Sequence, residues 1–163
     1  MKEIFLIRHA HTPAGTPDEL RILSPLGVEQ AKHIGIRLFG NTTRPQLIVC
    51  SPAVRTRQTA ELLAVACGLD SMTIHFEKKL YESTLDDYLE VVSAFDEKVE
   101  SAWLVGHNWA ISALAQYMSG DSRFEMQPCT IVRMVFEESE WHKIRSAKCL
   151  ELEFFIPPDR AYF

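Results

Sequence analysis

The sequence predicts an α/β fold, in which helices cover both faces of a mostly parallel sheet and a hairpin of strands follows at the C-terminal end. Short apolar runs alternate with longer segments whose apolar residues recur at helical spacing. Glycine, proline or serine marks most boundaries between them. Strands that alternate with helices are joined by right-handed crossovers, which make the strands parallel. We therefore expect a three-layer, doubly wound architecture.

Length and composition fit one globular domain over residues 1–163. The chain is 47% hydrophobic and 24% charged, which is enough apolar material for a core. No apolar run approaches the roughly 20 residues that cross a bilayer, and the N-terminus resembles a strand more than a secretory signal. We expect a cytoplasmic protein that does not bind membranes.

The charge balance and the cysteines exclude several classes of protein. With 17 basic and 22 acidic residues the net charge is −5, so no global positive field attracts nucleic acid. An anionic ligand would need a local basic pocket. The spacing of Cys50, Cys67, Cys129 and Cys149 fits neither a metal knuckle nor a disulfide framework, so we expect buried, reduced thiols.

The first strand and helix are separated by a long loop. Residues 3–7 (EIFLI) are an apolar, β-branched run typical of a strand buried on both faces. Residues 9–23 show no sustained period and are expected to form a loop. Ser24 and Pro25 then begin a helix ending near Gly40, because serine caps free N–H groups and proline lacks the N–H that would remain unpaired.

The second cycle repeats this scheme. Residues 46–50 (QLIVC) predict a strand, and Ser51 with Pro52 predicts the cap of a helix that stops near Gly68. Residues 72–76 alternate between apolar and polar side chains, which favours a strand nearer the sheet edge.

The remaining elements complete the sheet. Thr84 and Asp87 have the spacing of a capping box at the start of a helix. Residues 102–105 (AWLV) predict a further strand, followed by a tight turn and a helix over residues 109–118. Residues 130–136 and a second strand starting near Trp141 predict the hairpin, joined by the acidic turn at 137–140. The tail over 154–163 is expected to be ordered only where it docks.

Unusual side chains follow three of the predicted strands. Arg8 and His9 come after the first, Arg55 after the second, and His107 after the strand at 102–105. Because the carboxyl ends of parallel strands meet at one edge of a sheet, these residues should converge. Two guanidinium groups beside two imidazoles repel one another unless an anion binds among them. The sequence therefore predicts a phosphate site.

The motifs at these positions resemble the histidine phosphatase superfamily, also called the phosphoglycerate mutase-like family. They are RHAHT at residues 8–12, SPAVR at 51–55 with Thr59 and Ala60 after it, and VGH at 105–107. The similarity runs from residue 2 to about 118. LSPLG at 23–27, LYE at 80–82 and GHN at 106–108 are most similar to its branch of SixA-like phosphohistidine phosphatases.

The resemblance implies a metal-independent phosphatase, with no cofactor, in which His9 is the nucleophile and forms a phosphohistidine intermediate. A neutral imidazole is nucleophilic at pH 7 without an elaborate base, which agrees with that role. Arg8 and Arg55 match the arginines that clamp phosphate in the family, where a planar fork suits the phosphoryl oxygens. His107 matches the second pocket histidine, expected to stabilise those oxygens as a cation.

Two further residues, Glu82 and His11, each have two interpretations. Many superfamily members place a carboxylic acid near Glu82 to protonate an alkoxide leaving group, yet the SixA-like branch lacks it, and Glu82 also fits a solvated position before a helix. His11 replaces an acidic or amide residue, and either contacts substrate or lies solvated in the loop. Asn108 is expected to bind substrate. Ala10 replaces the usual glycine, which is tolerated where φ is negative.

The leading functional hypothesis is removal of phosphate from a phosphohistidine-bearing protein. Residues 56–106 leave little room for an insertion that encloses the site, and an open site suits a protein side chain. A phosphoramidate also needs less help from a general acid. The alternative within enzymes is a phosphomonoesterase for a small sugar or nucleotide phosphate, which an acidic role for Glu82 would favour.

Two hypotheses come from other classes. In one, His9, His11 and His107 ligate zinc, although two arginines beside such a cation argue against it. A non-catalytic phosphohistidine-binding protein is the other. The complete set of Arg8, His9, Arg55 and His107 gives no sign of inactivation.

Overall fold

The protein folds around a six-stranded mixed sheet, which the computed structural model describes for residues 1–69 and 72–158. The strand order is β3-β2-β4-β1-β5-β6, where β3, β2, β4 and β1 run parallel, β5 is antiparallel to β1, and β6 is antiparallel to β5. The strands are β1 (Lys2–Arg8), β2 (Leu47–Cys50), β3 (Ile74–Phe76), β4 (Ser101–Gly106), β5 (Ile131–Phe136) and β6 (Cys149–Phe155). The predicted α/β class and its C-terminal hairpin are confirmed.

Four helices cover the two faces of the sheet. They are α1 (Pro25–Leu38), α2 (Val54–Ala66), α3 (Leu85–Ser93) and α4 (Ala110–Ser119). Successive β1 side chains point to opposite faces, so Phe5 and Ile7 join the core under α1 and α2, whereas Ile4 and Leu6 join the core under α3 and α4. The three-layer, doubly wound prediction is confirmed.

The predicted caps hold for two of three helices. Ser24 Oγ accepts the Gly27 N–H at 3.0 Å at the start of α1, and Thr84 and Asp87 form the capping box of α3. The third prediction is wrong. Helix α2 begins only at Val54, and Ser51 Oγ instead contacts a side chain far along the chain.

The hairpin contains a correction. The second strand does not start near Trp141, because Trp141–Ser146 forms a 3₁₀ helix and β6 begins at Cys149. Trp141 and Ile144 are both fully buried, and their spacing of three residues matches the 3₁₀ repeat. The Trp141 ring also packs edge-on against Phe95, 5.2 Å between centroids. Burial of this pair decides the local conformation.

The remaining differences are small. Strand β3 is shorter than the predicted 72–76 but does lie at a sheet edge, and the predicted tail begins inside β6. Residues 159–163 of that tail lie outside the described residues. All four cysteines are free thiols, of which two are buried and two half-buried. Within residues 1–69 and 72–158, no helix has the length and apolar character required to cross a membrane.

Candidate active site

The carboxyl ends of β1 and β4 lie side by side at one edge of the sheet. Arg8 is in register with Gly106, and the His9 N–H donates to the Gly106 carbonyl at 3.1 Å. The rings of His9 and His107 are therefore close, with 5.4 Å between centroids. Arg55 reaches the same place from the first turn of α2, which follows β2. The structure thus brings together the four residues predicted at the strand ends.

The His9 imidazole is buried, with 8% of the residue exposed, and its tautomer is fixed by a backbone contact. His9 Nδ1 lies 2.7 Å from the Ala10 carbonyl oxygen, which can only accept, so Nδ1 carries the proton and Nε2 keeps its lone pair. Burial lowers the pKa of His9 to about 4, and the charges of Arg55 and Arg8 add to this effect. The ring is therefore neutral at pH 7.

The backbone beside His9 is held by α2. Thr59 Oγ1 accepts the Ala10 N–H at 3.0 Å and donates to the Arg55 carbonyl at 2.7 Å. Ala10 is not among the residues with positive φ, so the condition for replacing glycine at this position is met.

His107 is also buried, and its charge differs from the expectation. His107 Nε2 lies 2.7 Å from Ser51 Oγ, the hydroxyl predicted to cap α2, whereas Nδ1 is buried with no partner in residues 1–69 and 72–158. Burial lowers the pKa of His107 to about 3, and the Arg55 charge lowers it further. The expected cation is therefore wrong for the free protein. His107 is neutral at pH 7 because desolvation dominates.

A tyrosine hydroxyl fixes the backbone at His107. Tyr88 Oη accepts the His107 N–H at 3.0 Å and donates to the Leu80 carbonyl at 2.8 Å. A Cβ built on Gly106 would collide with this hydroxyl, so only glycine fits at the end of β4. The tyrosine thus joins α3, β4 and the segment after β3.

The two arginines present buried donors to the site. Arg8 Nη1 donates to the Met126 carbonyl at 2.8 Å, and Arg55 donates through Nη1 and Nη2 to Asp18 at 2.8 and 3.0 Å. The Nε atoms of Arg8 and Arg55 are buried and have no hydrogen-bond partner among the described residues, like His107 Nδ1. Buried polar groups are normally paired, so three such nitrogens at one place fit the recognition of an oxyanion.

Sequence reasoning missed an anionic network on the loop before α1. The Asp18 carboxylate accepts from Arg55, from Arg21 at 2.9 Å and from Tyr81 Oη at 2.6 Å. The Tyr81 hydroxyl and the two guanidinium groups hold the pKa of Asp18 well below its usual range. The bond to Asp18 in turn raises the pKa of Tyr81 to about 12. The only sequence signal was an acidic and a basic residue three apart in an aperiodic loop.

A cavity of about 320 Å³ adjoins Arg55 and His107. Glu82 is exposed on its wall and has φ of 51°, a left-handed conformation that costs a residue with a side chain about 1 kcal/mol. Asn108 also lines the cavity, where its amide donates to Glu125 at 3.1 Å. The other lining residues are Asp18, Leu80, Tyr81, Ser83, Tyr88, Trp109 and Ala110.

His11 has a structural partner. Its Nδ1 lies 2.6 Å from Ser24 Oγ, and its N–H donates to Gln30 at 2.9 Å, which ties the loop to the start of α1. In the described part of the chain, no group of three or more His, Cys, Asp or Glu side chains is arranged to hold a metal ion. The zinc alternative lacks the third ligand it required from His11.

Comparisons with known proteins agree with this geometry. The histidine phosphatase superfamily (branch 1) matches residues 4–89. A structure described as the phosphohistidine phosphatase SixA from Nakamurella multipartitia superimposes with a TM-score of 0.84 and 26% identity, covering 96% of both chains.

Two curated relatives extend the comparison. An uncharacterized protein of Mycobacterium leprae is 29% identical over 120 residues, 70% of this chain and 71% of its own length. A Salmonella paratyphi C protein described as phosphoglycerate mutase GpmB is 27% identical and covers 86% of this chain and 88% of its own length. The chain therefore belongs to the histidine phosphatase superfamily, as a phosphatase of its SixA-like branch.

Proposed function

We propose that this phosphatase removes phosphate from protein phosphohistidine and that His9 is its nucleophile. The observation that carries the proposal is a neutral imidazole with its Nε2 lone pair free, buried between two arginines with unpaired donors. A buried neutral nitrogen needs no base to attack phosphorus. The two positive charges attract the anion that it attacks.

The reaction has two steps. In the first, the His9 Nε2 lone pair forms a bond to phosphorus while the bond from phosphorus to the substrate nitrogen breaks. Solvent protonates the other nitrogen of the substrate ring before that bond breaks, so the electron pair stays on a leaving imidazole that is neutral. In the second, water attacks phosphorus, loses a proton and releases inorganic phosphate, and the P–N electron pair returns to His9 Nε2.

Arg8, Arg55, His107 and Asn108 bind the phosphoryl oxygens in this proposal. Guanidinium groups match the geometry of those oxygens, so the negative charge is balanced by protein side chains and the steps require no metal or cofactor. His107, which is neutral in the free protein, binds a phosphoryl oxygen as a hydrogen-bond donor in this proposal. Binding of a dianion would raise its pKa and favour the charged form.

The substrate assignment is supported by how little chain covers the site. Between Arg55 and His107 the chain forms the rest of α2, then β3, a short 3₁₀ turn over Lys78–Leu80, α3 and β4. These elements build the sheet and its layers, and none of the described residues among them forms an enclosing domain. An open site admits a histidine presented on a protein surface. The SixA description of the superimposed Nakamurella structure points to the same substrate.

One experiment tests the proposal directly. Purified protein is assayed on a phosphohistidine-bearing protein domain and on a panel of small phosphate esters, each with and without a chelator. We expect higher kcat/KM on phosphohistidine and no effect of the chelator. Preference for the esters would refute the substrate, and loss of activity in chelator would refute the mechanism.

A second candidate is hydrolysis of a small phosphate ester. Glu82 favours it, because an exposed carboxyl on the wall of the cavity beside His107 lies where a leaving alkoxide would need a proton. The relative described as a phosphoglycerate mutase also belongs among small-metabolite enzymes. Glu82→Gln separates the two candidates, because only the ester reaction depends on this carboxyl as an acid.

A further inference from the structure

Trp109 is the most exposed large apolar side chain in the described residues. Its exposed fraction is 73%, although an indole gains more from burial than almost any other side chain. Isolated exposed apolar residues are common and need no special explanation. Trp109 differs from the others because it lies at the N-terminal end of α4, two residues after His107, and lines the cavity beside that histidine.

Tyr81 and Trp109, two aromatic residues that line this cavity, differ in how far other residues fix them. Tyr81 is fixed, since its hydroxyl donates to Asp18 and its ring meets the His107 ring edge-on, 5.5 Å between centroids. The Trp109 ring makes no aromatic contact of this kind within residues 1–69 and 72–158. Its faces are therefore available to a flat group that enters the cavity.

The charges of the cavity select among such groups. Its charged lining residues are Arg55, Asp18 and Glu82, and the first two are paired with each other. Glu82 makes no hydrogen bond or ion pair within the described part of the chain. Among the described lining residues, Glu82 therefore offers a carboxylate without a partner, and Arg55, which binds the phosphoryl group in the proposed function, has its charge paired with Asp18. A second anionic group on the substrate is disfavoured, whereas a neutral or cationic ring is favoured.

We propose that Trp109 is a specificity-determining residue that stacks on the imidazole of the phosphohistidine substrate. The inference rests on the proposed function and adds the means by which the leaving group is recognised. Phosphohistidine presents a flat ring next to phosphorus, and that ring is a cation once its other nitrogen is protonated, which precedes cleavage of the P–N bond. An imidazolium over an indole face is attracted by the negative face of the ring, and the exposed Glu82 carboxylate does not repel it.

Two substrates with the same scissile bond test this role. Phosphoramidate and a phosphohistidine peptide both contain a P–N bond, but only the peptide has a ring. Replacing Trp109→Ala should lower kcat/KM for the peptide about tenfold, the size of one aromatic contact, through a higher KM. The ratio of kcat/KM between peptide and phosphoramidate should fall by the same factor. Trp109→Phe should retain most of that ratio.

Tyr117→Ala provides the matched control, because Tyr117 is a half-exposed aromatic residue two turns further along α4 and outside the cavity. It should leave the ratio unchanged. An unchanged ratio in Trp109→Ala overturns the inference, even when the wild type hydrolyses the phosphohistidine peptide. Failure of the wild type on both P–N substrates refutes the proposed function instead.

A second measurement tests whether Trp109 is exposed because it packs against another copy of the chain. Sedimentation velocity on wild type and Trp109→Ala should give the same molecular mass. A lower mass in the variant, together with equal losses on both substrates, would mean that the indole packs against another copy, and the inference would be overturned.

Discussion

The two ends of β1 bury charged side chains in opposite ways. At the amino end, Lys2 is only 2% exposed, and its Nζ donates to the carbonyls of Glu97 and Val99 at 2.6 and 2.7 Å. The Glu3 carboxylate accepts from Arg133 Nε at 2.6 Å through one oxygen and from a serine hydroxyl at 2.8 Å through the other. Each buried charge at this end has its partners within the fold.

At the carboxyl end the same strand presents Arg8, close to Arg55 and His107. In the described part of the chain, the buried Nε of each arginine and Nδ1 of His107 have no hydrogen-bond partner. An unpaired buried donor is costly, and folding alone gives no reason to keep three of them together. The difference indicates two roles for buried polar groups. Those paired within the fold stabilise it, whereas those left without partners are available to bind a ligand. Substitutions at the two ends should therefore affect different quantities.

The largest effect is expected for His9→Ala. Loss of the nucleophile should lower kcat by about 10³-fold or more, whereas the free energy of unfolding should change by only about 1 kcal/mol, because His9 lies in the loop after the strand. Steady-state assays on phosphohistidine protein and denaturant unfolding measure the two quantities. Near-wild-type turnover in the variant would remove His9 from the mechanism.

The opposite pattern is expected for Glu3→Ala. Removing this carboxylate leaves a buried guanidinium and a hydroxyl short of a partner, so the free energy of unfolding should fall by about 2–3 kcal/mol with kcat within about twofold. Glu151→Ala is the control, because Glu151 binds the same Arg133 from an exposed position and should cost about 0.5 kcal/mol. A large drop in kcat for Glu3→Ala would contradict the division between the two ends.

The pH dependence of stability should come from the two histidines beside the carboxyl end of β1. His9 and His107 have pKa values of about 4 and 3 in the folded protein, below the value near 6.5 of an unfolded chain. The unfolded state therefore binds more protons once the pH falls below about 6.5, and stability is lost on acidification. At pH 5 the loss should approach about 2 kcal/mol for each histidine.

Urea unfolding at pH 7, 6 and 5 in phosphate-free buffer measures this loss. His107→Asn should flatten the dependence, whereas His33→Asn, at an exposed position on α1, should leave it unchanged. Equal slopes in wild type and His107→Asn would show that the buried imidazole is not the group that titrates.

The smallest effect is expected for Glu82→Gln on phosphohistidine. A leaving imidazole can be protonated before the bond breaks, so kcat/KM should change less than about twofold. Esters with poor leaving groups should slow by about 10²- to 10⁴-fold in the same variant if Glu82 is a general acid, and activated aryl esters should be spared. A large loss on phosphohistidine itself would make Glu82 essential to the main reaction.

Sequence signals predicted those parts of the fold that depend on neighbours in the chain. The cap of α1 and the capping box of α3 join residues three apart, so their patterns are complete in the sequence. Ser51 carries the same local signal, yet its hydroxyl contacts His107, 56 positions away. The 3₁₀ helix at Trp141 likewise depends on packing against Phe95. Tertiary contacts decided both corrections.

The active site likewise has features that the sequence predicts and features that depend on tertiary structure. Convergence of Arg8, His9 and His107 follows from strand order alone, because parallel strands end at one edge. Asp18 reaches Arg55 only through the path of an aperiodic loop, which no periodicity reports. The charge of His107 depends on the depth of its burial, which becomes known only when the layers are assembled.

The contact between Gly106 and Tyr88 links the evolutionary histories of two positions. A side chain at 106 is admitted only after Tyr88 has become shorter, and that change removes the partner of both the His107 N–H and the Leu80 carbonyl. A side chain at 106 alone collides with the hydroxyl, whereas a shorter residue at 88 relieves that collision at the cost of the two hydrogen bonds. Homologues with a side chain at 106 should therefore lack tyrosine at 88, so that the two positions covary although they lie 18 positions apart in the sequence.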